Sequence, residues 1–163
     1  VAAPQPVLRT MNLGKPTADL CSSTLAQRFV IEYMRRHDWR EHVARLNDVY
    51  RGRRDAMLRA LEEELPAEGT WLTPAGGLFV WATLPDSVDT RDLLAQAIMN
   101  QVAFVPGRGA FVPPRGEGDP DRGAHSLRLN FSGVPEPVIS EGVARLGRTV
   151  ASWVELHRAL GGA

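Results

Sequence analysis

The apolar residues of this chain change period at Pro66. Upstream, Trp39, Val43, Leu46, Tyr50, Met57, Leu61 and Leu65 recur at helical spacing, which marks one face of a helix. Downstream, in 68–84 and again in 125–132, apolar and polar residues alternate. That is the pleat of a half-buried strand. A chain carrying both periods must lay amphipathic helices on a one-sided sheet, which is an α+β layout.

The local signals divide the chain further. Asp38 followed by Glu41 is a capping-box pattern with Asp in the Ser/Thr role, and Pro66 ends the helix that follows. "GTWLTPAGGLFVWATLP" reads as two strands joined by "PAGG", where Gly76 and Gly77 can take positive φ. "VDTRDLLAQAIMNQ" reads as a helix capped at Asp89 or Thr90, with Leu93, Leu94, Ala97 and Ile98 facing inward. "VAFVP" is a short strand, residues 107–124 a Gly- and Pro-rich loop, and "HSLRLNFS" a strand. "PEPVISEGVARLGRTVASWVELHRAL" closes the chain as a helix with Val143, Leu146, Val150 and Trp153 on its stripe.

The opening is less regular. "VAAP" reads as the end of a strand, and Pro16 disfavours an α conformation at Lys15. "CSST" offers N-cap hydroxyls to a short helix carrying Leu25, Phe29 and Tyr33. The expected order is helix, helix, strand, strand, helix, strand, strand, helix. It implies an α/β sandwich with an antiparallel or mixed sheet and helices packed on one face. Residues 1–35 fit this scheme poorly and are expected to belong to a different layer or domain from 36–163. With no initiator Met, the chain reads as a piece of a longer one.

Composition narrows the function. Nineteen basic residues balance nineteen acidic ones, so the long-range field of a nucleic-acid binder is missing. No apolar run is long enough for a bilayer. A lone cysteine, Cys21, cannot form an internal disulfide and suits a reducing cytosol. His37, His42, His125 and His157 show no metal-ligand spacing. "RGRR" at 51–54 has acidic residues on either side and reads as a solvated helix face. "GRG" at 107–109 precedes no clear helix and reads as a loop.

One residue does not fit the bland reading. Arg128 stands at the centre of the polar side of a half-buried strand, between the small residues Ser126 and Asn130. They leave room over its guanidinium, which suits a bidentate grip on a carboxylate.

Around that residue the chain resembles a family. "SLRLNFSGVPEPVISEGVARLGRTV" is similar to the C-terminal signature of fold-type-I, pyridoxal-phosphate-dependent aminotransferases, in particular the 2-aminoadipate aminotransferase branch and the transaminase-like regulators that carry a winged helix. "MNLGKPTADLCSSTLAQRFVIEYM", "HVARLNDVYRGRRDAMLRALEEELP" and "TPAGGLFVWATLPDSVDTRDLLAQAIMNQVAFVPG" resemble the same family, in its order and spacing. The resemblance implies the small C-terminal domain of the aspartate-aminotransferase-like fold over 36–163, with the end of the large cofactor domain and a connecting helix over 1–35. It implies that Arg128 grips a substrate α-carboxylate, with Gly76, Gly77 and Asn130 beside the substrate and residues 107–112 lining the mouth of the site.

The resemblance also implies pyridoxal phosphate as cofactor, an α-amino acid and a 2-oxo acid as substrates, and a cytoplasmic homodimer. A nucleic-acid partner would follow only from an upstream winged helix, in which case the fold would serve a regulator as its effector-sensing domain. The family's cofactor-linking lysine lies in an "SFSK"-like motif upstream of the segment that resembles this chain. Lys15, the only lysine here, sits in "LGKPT" and does not match it. The chain by itself is therefore expected to be inactive and to supply no catalytic or cofactor-binding residue.

Overall fold

The computed structural model describes residues 2–111, 119 and 121–159. They fall into two compact units, 1–45 and 46–163. Helix α1 (Gln5–Ala18), helix α2 (Thr24–Arg36) and the start of helix α3 (Trp39–Glu64) make up the first. The rest of α3, strands β1 (Thr70–Trp71) and β2 (Phe79–Thr83), helix α4 (Thr90–Met99), strands β3 (Val105–Pro106) and β4 (Ser126–Asn130) and helix α5 (Glu136–Ala159) make up the second.

In the first unit two expectations were wrong: residues 2–4 form no strand, and Lys15 is helical, within α1. Pro6 lies at the start of α1, where the N–H it lacks would have had no partner within the helix. Pro16 lies in the last turn, so it removes one backbone bond near an end that already frays. Asp19 closes the helix by donating its N–H to the Lys15 carbonyl at 2.8 Å. Ser23 caps α2 as the "CSST" run suggested, accepting from the Ala26 N–H at 3.2 Å. Asp38 likewise accepts from the Glu41 N–H at 3.0 Å. None of the described residues of 2–45 is buried.

The second unit holds the core. Its four-stranded sheet runs in the order β1-β2-β4-β3, and every pairing is antiparallel. Val80 and Ala82 of β2 and Leu127 and Leu129 of β4 point to one face. There they meet Met57 and Leu61 of α3, Leu93 and Ala97 of α4, and Val143, Leu146 and Val150 of α5. Each fully buried Leu or Val contributes about 1.5–3 kcal/mol. Two expectations needed correction. Ile98 of α4 is 56% exposed, so the inward face of that helix is Leu93 and Ala97, with Leu94 partly buried against the same core. The loop 107–124 contains a 3-10 turn at Gly107–Ala110, while 112–118 and 120 lie outside the described residues.

α5 crosses α3 at Gly147. A Cβ there would run into the Glu64 carbonyl, so glycine is what lets the two backbones approach.

Candidate substrate-binding face

With the helices on one side, the other side of β2 and β4 is exposed among the described residues at Phe79, Arg128 and Asn130. The alternation that buries Leu127 and Leu129 turns Arg128 and Asn130 outward. Arg128 pairs with Trp81 on β2 and with Val105 on β3. It therefore sits on an inner strand, held on both sides by backbone pairing. Its guanidinium carbon lies 4.3 Å from the ring centre of Phe79, a cation–π contact that fixes one side of the planar group. Among the described residues the one side-chain contact of Arg128 is this ring, with no hydrogen bond or ion pair beside it. Strand segments 79–83, 105–106 and 126–130 contain no Asp or Glu. With no acid engaging it among the described residues, this arginine has a donor pair of the geometry that can take a carboxylate.

Asn130 shares the face but spends half of its amide locally. Its Oδ1 accepts from the Ser132 N–H at 2.6 Å and the Ser132 hydroxyl at 2.7 Å. Two donors on one atom make it the carbonyl oxygen and leave the amide N–H groups outward. Gly76 and Gly77 are exposed in the β1–β2 turn, and Gly77 takes φ +85°. That turn leads into Phe79, which pairs with Asn130. Among the described residues no hydrogen bond joins either glycine to Arg128, so the structure brings Arg128 and Asn130 together and leaves the glycines at the rim.

Residues 107–111 flank the face. Phe111 meets Trp81 edge-on at 6.0 Å, and Arg122 lies 4.6 Å from the Phe111 ring. Arg108 anchors this segment through Asp89 at 2.7 Å and Asp121 at 2.6 Å. Burial alone would raise the Asp89 carboxyl, but the Arg108 hydrogen bond, the Arg91 and Asp92 N–H groups and the Arg108 charge outweigh it and hold it low. The same bonds, first to Asp89 and then to Asp121, raise Arg108 above its ordinary value. Val112 lies outside the described residues.

Two features escaped the sequence. The outward positions of β2 are Phe79 and Trp81, where a solvated strand would carry polar groups; the alternation in "FVWAT" was a signal for them. "RGRR" is not a solvated face throughout. Arg53 donates to the Ser132 carbonyl at 2.5 Å and Arg54 to the Pro74 carbonyl at 3.3 Å. Their acceptors are 79 and 20 residues away, which a local reading could not find.

Lys15 belongs to the other compact unit, and its ammonium donates to the Asp19 carbonyl at 2.7 Å. The histidines and Cys21 form no three-ligand group among the described residues. No described helix is long and apolar enough to cross a membrane.

No protein-family model matches the chain. An aromatic-amino-acid aminotransferase of Thermococcus litoralis is 38% identical over 150 residues, covering 92% of this chain and 34% of that protein. The crystal structure of an alpha-aminoadipate aminotransferase from Thermus thermophilus, complexed with N-(5'-phosphopyridoxyl)-L-leucine, superposes with a TM-score of 0.76. It is 36% identical, over 96% of this chain and 38% of that one. The chain belongs to the fold-type-I aminotransferases. It spans about a third of the length of the curated relatives it matches. An HTH-type transcriptional regulator of Bacillus subtilis also matches, at 32% identity over 60% of the chain. The aminotransferase fold accounts for the one-sided antiparallel sheet of residues 46–159.

Proposed function

We propose that this chain is the C-terminal, substrate-orienting part of a pyridoxal-phosphate-dependent aminotransferase that moves an amino group between an α-amino acid and a 2-oxo acid. The observation that carries the reading is Arg128: a guanidinium held by backbone pairing and the Phe79 ring, on an acid-free strand face, with no internal acceptor among the described residues. Two parallel N–H groups would take the substrate α-carboxylate, and the outward amide of Asn130 stands two residues along the same face. A carboxylate held at two points fixes the direction of every bond at the α carbon, which decides which bond reacts. The Gly76–Gly77 turn admits substrate without side-chain bulk.

Bound pyridoxal phosphate would supply the electron sink for this chemistry. The described residues fit the substrate carboxylate and not the cofactor, since no lysine stands on this face. We therefore assign cofactor anchoring to residues outside this chain. On the same reading, 1–35 is the end of the cofactor domain and 36–163 the small domain. The exposed apolar side chains of α1 and α2 support burial in a larger assembly, for which a homodimer is our assignment. The single thiol supports a cytoplasmic setting. A regulator that senses an amino acid through the same face is the second reading, supported by the partial match to the Bacillus protein. An upstream winged helix, and with it a nucleic-acid partner, would favour it.

Arg128→Lys in the full-length enzyme tests the proposal. It keeps the charge and loses the planar two-point grip. The expected loss in kcat/KM is about a hundredfold, or roughly 3 kcal/mol. The melting transition should move by no more than about 0.5 kcal/mol, as for other exposed substitutions. Single-turnover kinetics beside thermal melts make the measurement. Transamination at the unmutated rate would return Arg128 to an ordinary solvated arginine.

A further inference from the structure

Two neighbouring arginines of α3 each reach a backbone carbonyl at a different border of the open face. Arg53 Nη1 donates to the Ser132 carbonyl. Ser132 in turn donates its N–H and hydroxyl to Asn130 Oδ1. A line of hydrogen bonds thus runs from α3 through the turn after β4 to the side chain beside Arg128. Arg54 Nη1 donates to the Pro74 carbonyl, at the start of the turn that delivers Phe79 to the Arg128 guanidinium. Arg53 carries a penalty for this: its Nε is buried without a hydrogen-bond partner among the described residues. An orphaned buried donor is destabilising, because it loses its water partner and gains none. A space-filling leucine would avoid that penalty, so the tether is the feature that explains an arginine at this position.

We propose that Arg53 is a positioning residue for the substrate carboxylate, acting through Ser132 and Asn130. The proposal rests on Arg128 gripping that carboxylate. Arg53 fixes the turn after β4 and so the amide of Asn130; without it, the carboxylate keeps its charge partner and loses its second point of reference. Binding suffers more than the chemical step.

The test uses the full-length enzyme loaded with pyridoxal phosphate and the best donor from a panel of the common L-amino acids. Arg53→Met should raise KM about tenfold while kcat stays within about threefold. Calorimetry should show the dissociation constant of the matching 2-oxo acid rising by the same factor. Arg53→Lys keeps a donor for the Ser132 carbonyl and should recover KM to within about threefold of the unmutated value. In an Arg128→Met background, Arg53→Met should add less than about twofold, because the two act on one contact. Losses that multiply in full, a fall in kcat without a rise in KM, or no recovery by lysine would overturn the assignment. Should Arg53→Met melt below the assay temperature, Arg53→Gln takes its place with the same expectations. An unchanged KM in Arg128→Met alone would instead remove the carboxylate reading on which the inference stands.

Discussion

α2 and α5 are both amphipathic helices with an apolar residue every third or fourth position. In α5, Ile139, Val143, Leu146 and Val150 are at most 3% exposed. In α2, Leu25, Phe29 and Tyr33 are 63%, 67% and 50% exposed. Periodicity states which face of a helix is apolar; it does not state what covers that face. The sheet of residues 46–159 covers α5, and nothing within 2–45 covers α2. Apolar surface left open in this way favours association.

The sharpest way to break this contrast is to truncate one apolar side chain in each unit. Leu61 is fully buried among the strands and α5. Leu61→Ala should destabilise the chain by about 3 kcal/mol, through lost transfer energy and a residual cavity. Phe29→Ala removes more carbon from an exposed position and should change stability by less than about 0.5 kcal/mol. Urea unfolding of the 163-residue chain, followed by tryptophan fluorescence, measures both. Equal losses would mean that α2 is part of the same cooperative core.

The two glycines with opposite surroundings give a middle-sized effect. Gly147 faces the Glu64 backbone, whereas a Cβ on Gly14 in α1 would meet nothing within 4 Å. Gly147→Ala should therefore cost about 2 kcal/mol by overpacking the α3–α5 crossing. Gly14→Ala should favour α1 by roughly 0.5–1 kcal/mol, through helix propensity alone. Circular dichroism should show the second as added helicity and the first as an earlier melt. A stable Gly147→Ala would mean that the crossing yields more easily than its geometry implies.

The sequence was legible where a signal was local. The alternation around Leu127, Leu129 and Phe131 placed β4 and turned Arg128 outward, and Ser23 and Asp38 capped their helices as their side chains allow. It failed where one local signal masked another. "VAAP" and Pro16 suggested an extended opening, yet Pro16 sits in the last turn of α1, where a helix tolerates it. It was silent on partners distant along the chain. Arg53 and Arg54 stand among acids that would satisfy them as surface charges, and only the fold brings Ser132 and Pro74 within reach. On the exposed strand face, the alternation placed Arg128 and Asn130 outward; Phe79 and Trp81 beside them and the α3 tethers needed the sheet.

The smallest effect concerns acid. Asp89 caps α4 through the Arg91 N–H at 2.8 Å and takes Arg108 at 2.7 Å, with side chains only 28% and 23% exposed. The net effect of those bonds, against burial, is a carboxyl held below its ordinary value. A depressed acid contributes stability in full above its unfolded pKa, near 3.9, and that contribution is lost as pH falls through the folded value. At pH 6, Asp89→Asn keeps a capping oxygen but loses the charge, and should be destabilised by about 1 kcal/mol. As pH falls below the unfolded value and through the lowered folded value, the unmutated chain should lose that increment and the mutant should not, so the two melts approach each other. Glu41 in the first unit provides the contrast. It pairs with Arg45 at 2.8 Å, with side chains 67% and 62% exposed. An open i,i+4 pair of this kind is worth about 0.3–0.5 kcal/mol, so Glu41→Gln should leave the melt nearly unchanged at pH 6. If Asp89→Asn melts together with the unmutated chain already at pH 6, the Asp89–Arg108 pair is as solvent-screened as the Glu41–Arg45 pair.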